Sequence, residues 1–292
     1  MTTQKRGCKW MRAEIERLDS EADSARIVRL TSCRLLPRSL LVVHLFYTVG
    51  FVRFAGPPES AAAVDRDGTG MVYEHGIRRA DETMFQLFSW IDDGVFDAAS
   101  REGLDQVRHW HSGVARTWPM PAHTFQHSAA VFTLIYDRLL RRIAGAPGLS
   151  DTERRAQLRH WRAVSERLGV TDIPHTWHGM EELLESYEHG PHFAYSPAGQ
   201  RLANALLDQF ATRWFPRPLR WFGRWLALAF SEEHVIDTLG IARPPGVFTV
   251  AVRRLARVAV FAKQHVLPDP RAVFRLSEIV AGHKDAALPA RR

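Results

Sequence analysis

What most constrains this chain is the spacing of its apolar residues. Almost every segment longer than ten residues repeats them with helical rather than alternating period. A helical stripe must be buried against another element, and no strand pattern is present to supply a sheet, so helix on helix is the architecture left. The chain is therefore expected to be all-α, one multi-helix globular domain. With no internal repeat it is not expected to be a solenoid. A hydrophobic content of 46% over 292 residues is enough for a real core.

Residues 1–34 read as a polar, partly helical extension, residues 35–266 as the folded domain, and residues 267–292 as a loose tail. Pro37 opens a helix through Leu40, Leu41, Val43, His44 and Tyr47, which Gly56, Pro57 and Pro58 end. Helices are predicted over about 79–93, with Gly94 closing it, and over 98–111. After Pro119 and Pro121 a long one covers 124–143. Ser150 and Glu153 have capping-box spacing, so 151–168 is predicted helical with Gly169 as its stop. Further helices are predicted at 178–189, 197–213, 218–230, 232–239 and 247–266. Ser196-Pro197 and Ser231-Glu232-Glu233 supply two of the starts.

Cys8 and Cys33 are too few for a disulfide framework, and the polar stretch before Ser24 has no secretory pattern, so a reducing, cytoplasmic setting is expected. The longest apolar run, 40–54, is interrupted by His44, Gly50 and Arg53 and is too short to span a bilayer. A net charge of +7 would favour phosphates, an acidic membrane face or acidic partners. No nucleic-acid-binding motif or concentrated basic stripe accompanies it, so nucleic acid is not expected as a partner.

The residues that can carry chemistry are histidines, an arginine and a threonine. His109 and His111 flank Trp110, but an i,i+2 pair on a helix diverges by about 200°, so the two cannot serve one centre. Leu104, Val107 and His111 lie within about 60° on the wheel, which turns His111 inward and His109 toward solvent. Taken alone, His111 is either a hydrogen-bonded core histidine or a ligand. Arg108 is a neighbour of the same face. His123 and His127, at i,i+4, share a helical face as zinc ligands do, yet no third ligand is identifiable. Arg79 and Thr83, four apart, stack one turn from each other.

At these residues a resemblance enters. From 36 to 260 the sequence resembles the haem-dependent oxygenases grouped with MpaB and the rubber oxygenases, or latex clearing proteins. It does so through RRADET (78–83), DDGVFDAASREGLDQVRHWH (92–111), FQHSAAVF (125–132), WRAVSERLGVTDIP (161–174) and WFPRPLR (214–220). The resemblance implies a catalytic domain over 35–266 with a haem pocket between helices. It implies that His111 is the proximal ligand of a non-covalently bound haem b, with Arg79 and Thr83 lining the site and dioxygen as co-substrate. Imidazole suits an axial position, arginine can pair with a propionate or an oxygen-derived anion, and threonine can donate a hydrogen bond. Phe85, Trp90, Phe125 and Phe132 are expected to wall the pocket. His127 stands where the family commonly has Tyr, and Asp81 and Glu82 adjoin the site with no assigned role.

The implied function is oxidative cleavage of a carbon-carbon double bond in an apolar, isoprenoid-like substrate. A haem- or lipid-binding carrier or sensor without turnover is the rival. Aromatic and basic residues interleave at 214–230 and 253–266, which fits either core packing with arginines at the rim or peripheral association with a membrane surface.

Overall fold

The computed structural model describes residues 8–287, and every regular element among them is helical. The chain opens with α1 (Trp10–Ile15), α2 (Ser24–Leu35), α3 (Leu40–Arg53), α4 (Pro58–Asp65) and α5 (Met71–Glu74). It continues with α6 (Gly76–Asp93), α7 (Ala98–Val114), α8 (Ala122–Arg138), α9 (Asp151–Arg167) and α10 (Trp177–Glu188). Last come α11 (Pro197–Trp214), α12 (Arg220–Ala229), α13 (Glu233–Thr238), α14 (Gly246–Phe261) and α15 (Leu276–Ala287). The all-α single domain read from the sequence is the fold observed.

Local signals act where chemistry requires them. Ser150 accepts from Glu153 N–H at 3.3 Å while Glu153 accepts from Ser150 N–H at 2.9 Å, the reciprocal cap of α9. Ser196 Oγ caps α11 at Gly199 N. Ser231 does not cap α13: its hydroxyl donates back to Ala227 O, and Glu232 turns toward arginines instead. The helix predicted to run on to 143 stops at Arg138, and residues 139–143 widen into a π-turn.

The largest departures lie at the two ends. The residues expected as an extension and a loose tail supply part of the main core: Met11, Ile15, Ile27, Val28, Leu30, Leu276 and Val280 are buried beside α6. Residues 1–7 and 288–292 of those stretches lie outside the described residues. α2 reads as polar because it buries Thr31 and Ser32, whose partners come from elsewhere in the fold: Glu153 accepts from Thr31, and Tyr136 donates to Ser32. The two ends interlock. Asp269 accepts from Met11 N, and Cys8 O accepts from Asp269 N, each at 2.8 Å. Asp92, at the end of α6, accepts from the N–H groups of Leu276 and Ser277 and so caps α15 from another helix.

A second core joins α3, α4, α11, α12 and α13, and a third joins α8 to α10. Gly56, between α3 and α4, is required by close approach: a Cβ there would lie 2.1 Å from the Phe193 ring. The α10–α11 loop is pinned at this point, and Ala194 N–H bonds Gly56 O at 3.3 Å. No helix among the described residues is long and apolar enough to cross a membrane.

Candidate functional site

α6 buries Ala80, Met84, Leu87, Phe88 and Ile91 on one face and carries Arg79 and Thr83, both half-buried, beside that stripe. The Thr83 hydroxyl donates to Arg79 O at 2.8 Å and accepts from the Arg79 guanidinium. Its single proton is thus already engaged, and donating to a ligand requires its rotation away from the helix. Behind Thr83 lies the buried Tyr47, whose phenol is pushed up to about 12 by burial, with Arg79 and Thr83 pulling the other way.

α7 is anchored at its start, where Asp97 caps Ser100 N–H at 3.0 Å and Ser100 Oγ donates to Gly94 O. Leu104 is fully buried, but no α7 residue beyond it is. The last two turns therefore stand off the core, with His111 on their inward side and His109 exposed. The His111 ring lies between Trp110 and Phe125, with ring centroids 5.4 Å away on each side. The Arg79 guanidinium sits over the Trp110 ring at 5.7 Å. Burial, and then the Arg79 cation, depress the His111 pKa to about 4, so the ring is neutral at ordinary pH. The three residues expected at one site are thus together on facing parts of α6 and α7.

What marks this place is its lack of partners. Among the described residues the His111 ring makes no hydrogen bond, and no carboxylate lies within ion-pairing distance of Arg79. Arg66, in the left-handed turn after α4, also has no carboxylate partner, and it lies over the same Trp110 ring at 5.9 Å. Sequence reasoning missed Arg66, which no periodicity connects to α6 or α7. Of the expected pocket wall, Phe125 meets His111. Phe132 stacks on Trp161, and Trp90 belongs to the main core. Asp81 and Glu82 are held by Arg213 and Arg78, at 2.5 and 2.8 Å. Arg108 packs over Gly169 at the end of α9.

A second polar centre joins α3, α8, α10 and α13. Arg53 makes a two-pronged pair with Glu188 and reaches Glu232 at 3.1 Å. Glu188 also meets His127 Nε2 at 2.9 Å and His234 Nε2 at 2.7 Å. Glu232 pairs with Arg138, which together with Arg142 also holds Glu185. The neighbouring arginines and histidines hold the Glu188 carboxyl well below its ordinary range against the cost of burial. Against its own burial, Arg138 and Arg53 bring Glu232 to about 2. A small recess opens here, lined by Arg53, Arg138, Glu232, Val49, Ile135 and Leu184. None of Arg79, Thr83 or His111 borders it. The i,i+4 pair proposed from the sequence is therefore split: His127 stacks on Tyr187 and serves Glu188, while His123 turns elsewhere.

Residues 42–261 match a family model described as ER-bound oxygenase mpaB/B′/rubber oxygenase, catalytic domain. Among solved structures, a latex clearing protein in its closed state is similar, with a TM-score of 0.64 at 18% identity over 96% of this chain and 80% of that one. No curated protein matches by sequence.

Proposed function

The chain belongs to the MpaB/rubber oxygenase catalytic-domain family, a family of oxygenases, and on that premise we propose that it is a haem b-dependent oxygenase. Its substrate in this reading is an apolar, isoprenoid-like molecule whose carbon-carbon double bond is cleaved with dioxygen. The observation that carries the reading is the neutral, hydrogen-bond-free His111 imidazole beside the cations of Arg79 and Arg66.

The donor set fits a non-covalent haem. A neutral imidazole that makes no hydrogen bond has a free lone pair that could ligate the haem iron. Two arginines without carboxylates suit two propionates, since each would form a charge-assisted pair. When bound, haem supplies the redox chemistry that dioxygen needs. The protein's own part is positional. Arg79 is steered by Thr83 and Trp110, so its guanidinium is offered to an anion in one orientation. Thr83 gains a free donor when its hydroxyl leaves the Arg79 carbonyl, and Phe125 and Trp110 screen His111 from water.

The absorption spectrum of the purified protein tests this. A Soret band that disappears in His111→Ala is expected. A colourless protein that takes up no haem on reconstitution removes both this reading and the haem-carrier alternative. Oxygen uptake with isoprenoid alkenes separates an oxygenase from a carrier.

A further inference from the structure

His123, released from the expected pair with His127, has two other neighbours. Ligand atoms of Glu59, His123 and His192 all lie within 4.8 Å of one another. They come from the first turn of α4, the first turn of α8 and the α10–α11 loop. We propose that these three side chains form a divalent-metal site of the two-imidazole, one-carboxylate kind that takes zinc.

Three observations independent of the spacing support it. First, Glu59 Oε2 is buried without a hydrogen-bond partner, an arrangement that is costly unless something else satisfies it. Second, His123 Nδ1 lies 2.9 Å from the Tyr187 hydroxyl. The tautomer with hydrogen on Nδ1 donates to that oxygen and leaves the Nε2 lone pair free, the outer-sphere arrangement of metal-bound histidines. Third, the backbones are already registered: Phe193 against Gly56 and the Ala194–Gly56 bond fix the His192 loop to the turn that leads into Glu59.

The geometry is close to what a metal requires. The His123 and His192 rings are stacked with centroids 4.2 Å apart, compatible with adjacent positions on one ion. Ligand atoms around a tetrahedral zinc are about 3.4 Å apart, so closure asks for side-chain shifts of about an ångström. His192 is exposed and gives a solvent path, and three protein ligands leave a position for water.

Untagged full-length protein, stripped with chelator and titrated with zinc chloride by calorimetry and elemental analysis, tests the site. One zinc per chain with affinity of about 1 µM or tighter is expected, with a raised melting temperature. His192→Ala, at an exposed position where the fold should survive, should weaken binding by roughly 100-fold, as should His123→Ala, whereas Tyr187→Phe should cost about tenfold. His178→Ala, on an exposed turn of α10, should change nothing. Absence of binding below about 100 µM, or binding retained in both His192→Ala and His123→Ala, overturns the site.

A separate observation concerns α14. No residue of α14 is buried, although the helix is largely apolar. Phe248 packs on Trp225 and Phe222, and Arg253 bonds Ala229 O. The adjoining face leaves Val247, Leu255, Val258 and Phe261 exposed by 58% or more, with Trp221 of α12 also exposed. Arg254 and Arg257 are exposed on and beside this stripe, and residues 209–231 and 238–268 contain no Asp or Glu. We infer that this face seats on an anionic lipid surface: apolar side chains enter the acyl boundary while arginines meet headgroups. A second copy of the chain would set arginine against arginine.

Vesicle co-sedimentation decides it. Binding is expected to phosphatidylglycerol-containing vesicles, to be weaker on phosphatidylcholine alone, to fall with salt, and to be lost in the surface variants Leu255→Asp and Phe261→Asp. Equal binding by those variants, or no binding together with a dimer in solution that they dissociate, overturns it.

Discussion

The junction of α3, α8, α10 and α13 and the face shared by α6 and α7 treat charge in opposite ways. At the junction Arg53, Arg138, Glu188 and Glu232 are each held by at least two partners of opposite sign or by histidine, largely out of water. Between α6 and α7, Arg66 and Arg79 share only an indole face, and His111 has no hydrogen bond at all. A buried charge persists only if it is paired, so the first group accounts for itself. The second leaves an imidazole and two guanidinium groups without such partners. Strongly displaced carboxyl pKa values therefore mark the ion-pair junction of this protein, whereas missing partners mark the α6–α7 face.

The comparison can be broken at several points. The largest effect is expected from Glu188→Leu, which strands Arg53, His127 and His234. Urea unfolding should show a loss of about 3–5 kcal/mol. A loss under about 1 kcal/mol would mean that the network is not a coupled buried unit.

Acid should dismantle the molecule in two stages. The fully buried His44 and His160 have pKa values lowered to about 3 and about 4, chiefly by burial. The unfolded chain takes up their protons first, so stability is complete above about 6.5 and falls as pH drops toward 4, by about 1.4 kcal/mol per pH unit for each histidine. Glu188 and Glu232 have lowered values, so their contribution persists to about pH 4.5 and is lost below it, Glu232's through about 2. Unfolding free energies measured across this range check both windows, and a flat profile from pH 6.5 to 4.5 would contradict the first.

Effects at the α6–α7 face should be smaller in stability and visible in ligand. Arg66→Gln and Arg79→Gln should each weaken haem uptake by about tenfold, near 1.4 kcal/mol, in a spectroscopic titration. Smallest of all, His111→Ala should leave the unfolding free energy of haem-free protein within about 0.5 kcal/mol while abolishing the Soret band. A large destabilisation there would make His111 a core residue and remove the contrast.

Much of the fold was legible because most helices from α3 to α14 carry their own stripe, cap or stop. Ser150, Ser196 and Gly169 act where the sequence places them. α4 was missed because Gly-Pro-Pro reads as an ending, although Pro58 occupies a helix's first turn. α2 was read only as part of a partly helical extension, and α15 as part of a loose tail, because their polar residues are buried with partners more than a hundred residues away, as Thr31 is with Glu153 and Ser277 with Asp92. For the site, the wheel alone turned His111 inward and His109 outward, while only the family resemblance set Arg79 and Thr83 beside it. Arg66 and His192 were invisible, since each reaches its place through a turn or loop whose path depends on tertiary contacts.

The interlocked ends carry a consequence for synthesis. Residues 8–11 leave the ribosome some 250 residues before their partner Asp269, and Asp92 some 180 residues before the Leu276 and Ser277 amides that it holds. At usual elongation rates that is a wait on the order of ten seconds or more, during which the buried stripes of α1, α2 and α6 lack their cover. The nascent chain must therefore hold the helix that carries Arg79 and Thr83 half-covered until Leu276 and Ser277 have emerged, and chaperone capture has that interval in which to act.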